Sequence, residues 1–212
     1  MATLDSFLID VTLEVPGCAL PIVRHHVRRS IIEFCEKTRL LTYNCPAVNS
    51  VANQGAYSIS PPADHEIHEI VTVRHNGVPL DPVGEDWLNN NVTDWANSKS
   101  RTASSYIFTR PASIRLYPAP NENGTGNIVA MAAIKPTPSA TSIDDKLLHY
   151  SESIAAGAKR RLMIQPGKPW TNPELAVYYG NVFLAGVGKG RIDAVVNNSM
   201  FTGEIKRRIL GG

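Results

Sequence analysis

Proline spacing is the main restriction on how this chain can fold. Proline removes a backbone donor, and its ring clashes with the preceding helical turn, so a long helix has to avoid it. None of the 15 prolines lies between Pro21 and Pro46, between Pro138 and Pro166, or after Pro173. Those three windows are where long helices are expected. The interval from Pro46 to Pro138 holds ten of the fifteen and is expected to form β-structure and turns.

In the first window Val23, Val27, Ile31, Phe34, Cys35, Thr38 and Leu41 recur at three- and four-residue spacing. That pattern predicts one amphipathic helix with Pro21 in its first turn. A shorter helix is expected over residues 4–11, stopped by Pro16-Gly17. The second window predicts a helix from a cap at Ser142, with Asp144 and Asp145 in its first turn, to about Gln165. The third opens with Thr171 or Asn172 as cap and Pro173 behind it. Leu175, Tyr178, Tyr179, Val182 and Phe183 then keep a helical period, while Gly186, Gly188 and Gly190 predict a weakened or kinked middle.

Between these windows, residues 56–60, 67–74, 105–109, 113–117 and 128–134 are short β-branched or aromatic runs bounded by turn residues. Asn76-Gly77 predicts a tight hairpin. Residues 84–101 are polar and read as a long loop. The expected fold is therefore α+β, a bundle of three to four helices from residues 1–45 and 139–212. An antiparallel β module is inserted at residues 46–138.

Candidate chemistry is sparse. In Gly186-Val187-Gly188-Lys189-Gly190, Phe183 stands where a phosphate loop needs its first glycine, and Gly190 replaces its Ser or Thr. Arg191 occupies the third glycine position of a dinucleotide fingerprint. His25 and His26 diverge by about 100° on a helix, and His65 and His68 face opposite sides of a strand, so neither pair chelates an ion. Cys35 lies on an apolar helix stripe and reads as core filler. Asp64 with Glu66, and Glu85 with Asp86, read as solvated charge. No catalytic, cofactor-binding or metal-binding residue is expected, and an enzyme stands only as an unrecognised alternative.

The longest apolar run, residues 128–134, is far short of the roughly 20 residues of a membrane helix. Asp5, Asp10 and Glu14 do not suit a signal peptide. Cys18, Cys35 and Cys45 form no CxxC pair, which points to a reducing, cytoplasmic setting.

Lys and Arg number 21 against 19 Asp and Glu, a net charge of +2, which argues against tight generic nucleic-acid binding. The charge is unevenly spread. Residues 56–100 carry Asp64, Glu66, Glu69, Asp81, Glu85, Asp86 and Asp94 against Arg74 and Lys99, a net of −5, so the remainder carries +7. Arg24, Arg28 and Arg29, then Lys159-Arg160-Arg161, then Lys206-Arg207-Arg208 form the basic groups. They are either solvated helix faces or contacts for an acidic partner or DNA phosphates. Trp87, Trp95 and Trp170 are interface candidates, because tryptophan is enriched in interface centres. For Trp170 the alternative is packing within its own subunit.

Four stretches together carry a resemblance: VRRSIIEFCEKTRLL, YSISPPADHEIHEIVTVRHNGVPL, SIRLYPAP and GKPWTNPELAVYYGNVFLAGVGKGRIDAVVNN. Their arrangement, from about Pro21 to Asn198, resembles the head-to-tail adaptor proteins of tailed bacteriophages, also called connector, neck or gatekeeper proteins. The tail tubular protein A group of short-tailed phages is similar. The resemblance implies a structural virion protein, assembled in the host cytoplasm, that forms a ring, usually of twelve subunits. Such a ring joins the portal protein to the tail or nozzle protein and lets DNA pass without sequence-specific binding. It further implies that residues 203–212, with Lys206, Arg207 and Arg208, dock on the portal. A different tail or baseplate component, or a DNA-binding protein using its basic helix faces, are the alternatives.

Overall fold

The computed structural model describes residues 2–198. A 3-10 turn at Leu4–Phe7 leads into the short helix α1 (Leu8–Thr12). Helix α2 (Leu20–Thr38) follows, with Pro21 in its first turn where no donor is lost. It ends at Arg39, which takes a left-handed conformation (φ 54°) and returns its N–H to the Cys35 carbonyl at 2.9 Å. Later in the chain come α3 (Glu85–Asn91), α4 (Ser151–Met163) and α5 (Pro173–Asn198). Helix α4 is entered through a 3-10 turn at Asp145–Tyr150, capped by Asp144 Oδ1 accepting from the Lys146 N–H at 2.9 Å.

The strands form two main sheets. One contains β2 (Thr42–Asn44), β3 (Val48–Ser50), β5 (His65–His75), β6 (Val78–Pro79) and β12 (Gly124–Pro136). Its order is β2-β12-β5-β6, with β3 also paired to β12. The second runs β4 (Ala56–Ser58), β10 (Ser113–Tyr117), β9 (Ser105–Thr109), β7 (Asp81–Pro82). Two small pairs complete the set: β1 (Ala2–Thr3) with β13 (Ser142–Ile143), and β8 (Lys99–Ser100) with β11 (Ala119–Pro120).

This architecture corrects the expected helical bundle with an inserted antiparallel module. The protein is a mixed α/β structure with large strand content, and its strands do not stay within the insert. Once Arg39 ends α2, Thr42–Asn44 pairs with β12 rather than continuing the helix. Near the other end of the described chain, Ser142–Ile143 pairs with Ala2–Thr3, so the expected Ser142 cap is a strand residue. Nor is the β portion purely antiparallel, since β7–β9 and β8–β11 are parallel pairs.

Two local readings also change. Residues 84–101 are not a bare loop, because they contain α3 and a 3-10 turn at Trp95–Asn97. The apolar signal is thin there, with Leu88 the only buried residue of α3. Helix α5 runs unbroken through its glycines, for a packing reason. A Cβ on Gly186 would collide with the Ser153 side chain, and one on Gly190 would sit 2.8 Å from Thr38 Cγ2 and 3.0 Å from Phe34 Cζ. The glycines therefore admit neighbours instead of bending the helix. The Asn76-Gly77 hairpin forms as expected: both residues have positive φ (52° and 79°), and His75 sits opposite Val78.

Helix α2 is the centre of the molecule. One side lies on β12, and the other meets α4 and α5. Val23, Val27, Ile31, Phe34 and Cys35 are fully buried in a core continuous from the helices into both sheets. Polar groups at these seams are satisfied in specific ways. Ser30 Oγ donates to the Ile154 carbonyl at 2.7 Å, and Lys135 Nζ reaches Glu36 at 2.5 Å and Glu66 at 3.2 Å.

Candidate assembly interface

Helix α5 is positioned by its own start signal. Asn172 Oδ1 accepts from the Leu175 N–H at 3.1 Å, Pro173 occupies the first turn, and Thr171 Oγ1 donates to the Gln165 carbonyl at 2.5 Å. One face then buries Ala176, Phe183, Val187 and Ala194 against α4 and α2. At Gly157 of α4 a Cβ would strike Ser30 Oγ and the Phe183 ring, so α2, α4 and α5 meet there with no room for a further methyl. The Tyr150 hydroxyl donates to Asp193, tying the far end of α5 to the start of α4. Burial and then this carboxylate push the Tyr150 phenol up to about 12.

The opposite face of α5 is also apolar. Residues 175–188 contain no charged side chain, and the outward stripe runs through Val177, Tyr178, Leu184 and Ile192, each more than half exposed. Gly188 lies in that stripe with nothing within 4 Å of its Cβ position, leaving open space beside the backbone. A helix apolar on every side normally belongs inside a larger assembly or a bilayer. No helix among the described residues is long and apolar enough to cross a membrane. This stripe is the largest functional signal that the sequence reading passed over, although the uncharged run from Leu175 to Gly188 announces it.

The basic groups chosen from sequence are mostly engaged within the chain. Arg24 is exposed and donates to Asp5 Oδ1 at 2.8 and 3.1 Å. Arg28 is half-buried and Arg29 is exposed. Lys159 reaches Glu14 at 3.3 Å, and its ammonium lies 4.7 Å from the Tyr179 ring centre. Arg160 and Arg161 both donate to Glu33, at 2.7 and 2.6 Å, and Lys37 reaches the same carboxylate at 2.8 Å. Burial alone would raise the Glu33 carboxyl, but hydrogen bonds from Lys37, Arg161 and Arg160 hold it at about 2. Arg160 and Arg161, which look like a basic surface in sequence, thus clamp α4 to Glu33 of α2, with Lys37 joining from α2 itself.

The tryptophans divide. Trp87 is the most exposed, on α3. Trp95 is half-buried; its Nε1 donates to Asn89 at 2.7 Å, and the Arg115 guanidinium stacks 4.4 Å from its ring centre. Trp170 is half-buried against its own core. Lys206, Arg207 and Arg208 lie outside the described residues.

A cleft of about 640 Å³ opens between the end of α2, β5 and the end of α5. Its charged groups are engaged: Arg39 pairs with Glu69 at 2.8 Å, Glu36 with Lys135, Lys37 with Glu33, and Arg191 Nε donates to the Lys37 carbonyl at 2.7 Å. His68, also in the cleft, is held below the ordinary imidazole range by burial. No nucleophile with an adjacent base lines it among the described residues. Among the described residues no three His, Cys, Asp or Glu side chains converge as metal ligands. No protein-family model matches the chain, and no curated protein matches it.

Proposed function

We propose that this protein is a structural, ring-forming adaptor of a tailed bacteriophage that joins the portal to the tail and surrounds the path of the DNA. The observation that carries this reading is the outward face of α5. An uncharged 14-residue run on a surface helix loses free energy in water and recovers it when covered by protein. A ring covers such a face once per subunit through a repeated contact between two different surfaces. The sequence resemblance supplies the biological setting.

Charge is consistent with a channel. Asp64, Asp81, Glu85, Asp86 and Asp94 are exposed, so the acidic excess of residues 56–100 lies on the surface. Facing the channel or its rim, these carboxylates would repel passing DNA rather than retain it. Of the basic groups a rival DNA-binding reading would use, Arg24, Lys159, Arg160 and Arg161 are ion-paired within the chain, which leaves it Arg28 and Arg29 among the described residues. Gold labelling of a tagged copy on purified phage particles tests the proposal. Label at the neck between capsid and tail is expected, and particles lacking the protein would refute it.

A further inference from the structure

A face that needs covering does not say what covers it, but a second feature of the same chain supplies the answer. Before Arg24 the sequence contains Asp5, Asp10 and Glu14 and no Lys or Arg; Asp5 is paired with Arg24 and Glu14 with Lys159, so Asp10 carries the uncompensated charge. Around Asp10 and Glu14, the corner between α1 and α2 exposes Ile9 (65%), Leu13 (79%), Leu20 (45%) and Ile22 (42%). Leu13 is the most exposed large apolar side chain of the described protein. The α5 stripe starts beside the exposed Glu174, but its C-terminal half has the opposite rim: Lys189 and Arg191 are exposed there, and Lys189 has no ion-pair partner among the described residues. Asp10 is likewise exposed and has no ion-pair partner among them.

The two apolar surfaces sit on different helices. The corner between α1 and α2 lies on α4 through Glu14 and Lys159, while α5 lies on α4 through Gly186 and Ser153 with its stripe turned away from them. One self-complementary patch makes a closed dimer, whereas two different patches of opposite rim charge make a head-to-tail contact that repeats. We infer that the outward stripe of α5 docks on the α1–α2 corner of a second copy of this chain. Val177, Leu184 and Ile192 would lie against Ile9, Leu13 and Ile22, and Lys189 would lie towards Asp10. This inference rests on the ring-forming reading and names the mate of its central surface.

Head-to-tail contacts have a distinctive test, because two differently damaged copies repair each other. Ile192→Glu damages the stripe and Leu13→Glu damages the corner, both at exposed positions whose change should leave thermal unfolding intact. Analytical ultracentrifugation of the full chain should show concentration-dependent oligomers. Each variant alone should be monomeric, with association weakened about tenfold or more. A mixture of the two should form one-to-one heterodimers, because one intact stripe still meets one intact corner. As a second check, Asp10→Lys and Lys189→Glu should each weaken association about two- to fivefold, and both changes in one chain should restore it.

A monomeric mixture, a Leu13→Glu variant that associates like the natural chain, or a natural chain monomeric at all concentrations would each overturn the inference. Absence of the protein from particles would instead overturn the adaptor reading and leave these solution results standing.

Discussion

Replacing Glu33 by Gln should destabilise the protein more than any other single charge change, in a way that depends on pH. The Glu33 side chain is 14% exposed and accepts from Lys37, Arg160 and Arg161. Its carboxyl is held at about 2 against an ordinary value of 4.5. At about 1.4 kcal/mol per unit, that difference corresponds to about 3 kcal/mol of folding free energy at neutral pH. Because Arg160 and Arg161 are 28% and 30% exposed, solvent screening reduces the net figure to about 2 kcal/mol.

The sign follows from the depressed value: the folded state binds the Glu33 proton less readily than the unfolded chain. The stabilisation is therefore fully present above pH 4.5 and is lost as pH falls through 2. Urea unfolding of both proteins at pH 7 and pH 3 measures it. The gap between natural chain and variant should be about 2 kcal/mol at pH 7 and less than half of that at pH 3. A gap below about 0.5 kcal/mol at pH 7, the range of ordinary surface changes, would refute the clamp. A gap that does not change with pH would do the same.

Three other outcomes follow from the packing. Gly157→Ala should cost about 1–3 kcal/mol by overpacking against Ser30 and Phe183, and Ser30→Ala about 1 kcal/mol by deleting its bond to Ile154. The double variant should cost less than the sum, since removing Oγ makes room for the new methyl; strict additivity in urea unfolding would count against this reading. His75 is fully buried, and its Nδ1 accepts from the Ala103 N–H at 3.0 Å, so burial holds it below the ordinary imidazole range. Stability attributable to it should be complete above pH 6.5 and decline as pH falls below that value. His75→Gln should flatten the decline between pH 7 and 5, and an unchanged slope would exclude His75 as its source. Trp95→Ala should raise amide exchange across Glu85–Asn91, because Trp95 ties that segment to Arg115 through Asn89; unaltered exchange would show that other contacts hold α3.

Much of the local structure is legible in the residues, and its failures have causes. Pro21 and Pro173 mark the starts of α2 and α5 because proline is harmless only in a first turn. Asn76-Gly77 marks its hairpin because few residue pairs accept two positive φ angles. The end of α2 is hidden, since Arg39 in a left-handed conformation carries no sequence signal as glycine would. Pairing of β1 with β13 joins segments about 140 residues apart, which no local pattern encodes. The glycines of α5 mislead for a related reason. Propensity counts their cost within a helix, while the space they give Ser153, Thr38 and Phe34 appears only in the packed structure.

The site is harder to read than the fold. Lys159-Arg160-Arg161 looks like a binding surface until Glu14 and Glu33, more than 120 residues earlier, are seen to neutralise it. The α5 stripe is visible as an uncharged run, but periodicity alone assigns such a run to the core. Only the exposure of Val177, Leu184 and Ile192 shows that α5 has a second face to cover.

The proposed ring between portal and tail places α5 at the subunit boundary. A cryo-electron microscopy reconstruction of the portal vertex of phage particles that encode the chain tests it most directly. The expected result is one closed ring of this protein below the portal, with each α5 lying against a neighbouring subunit and residues 56–100 at the channel or rim. Density for the protein elsewhere in the particle, or a ring whose α5 stripes face solvent, would contradict it.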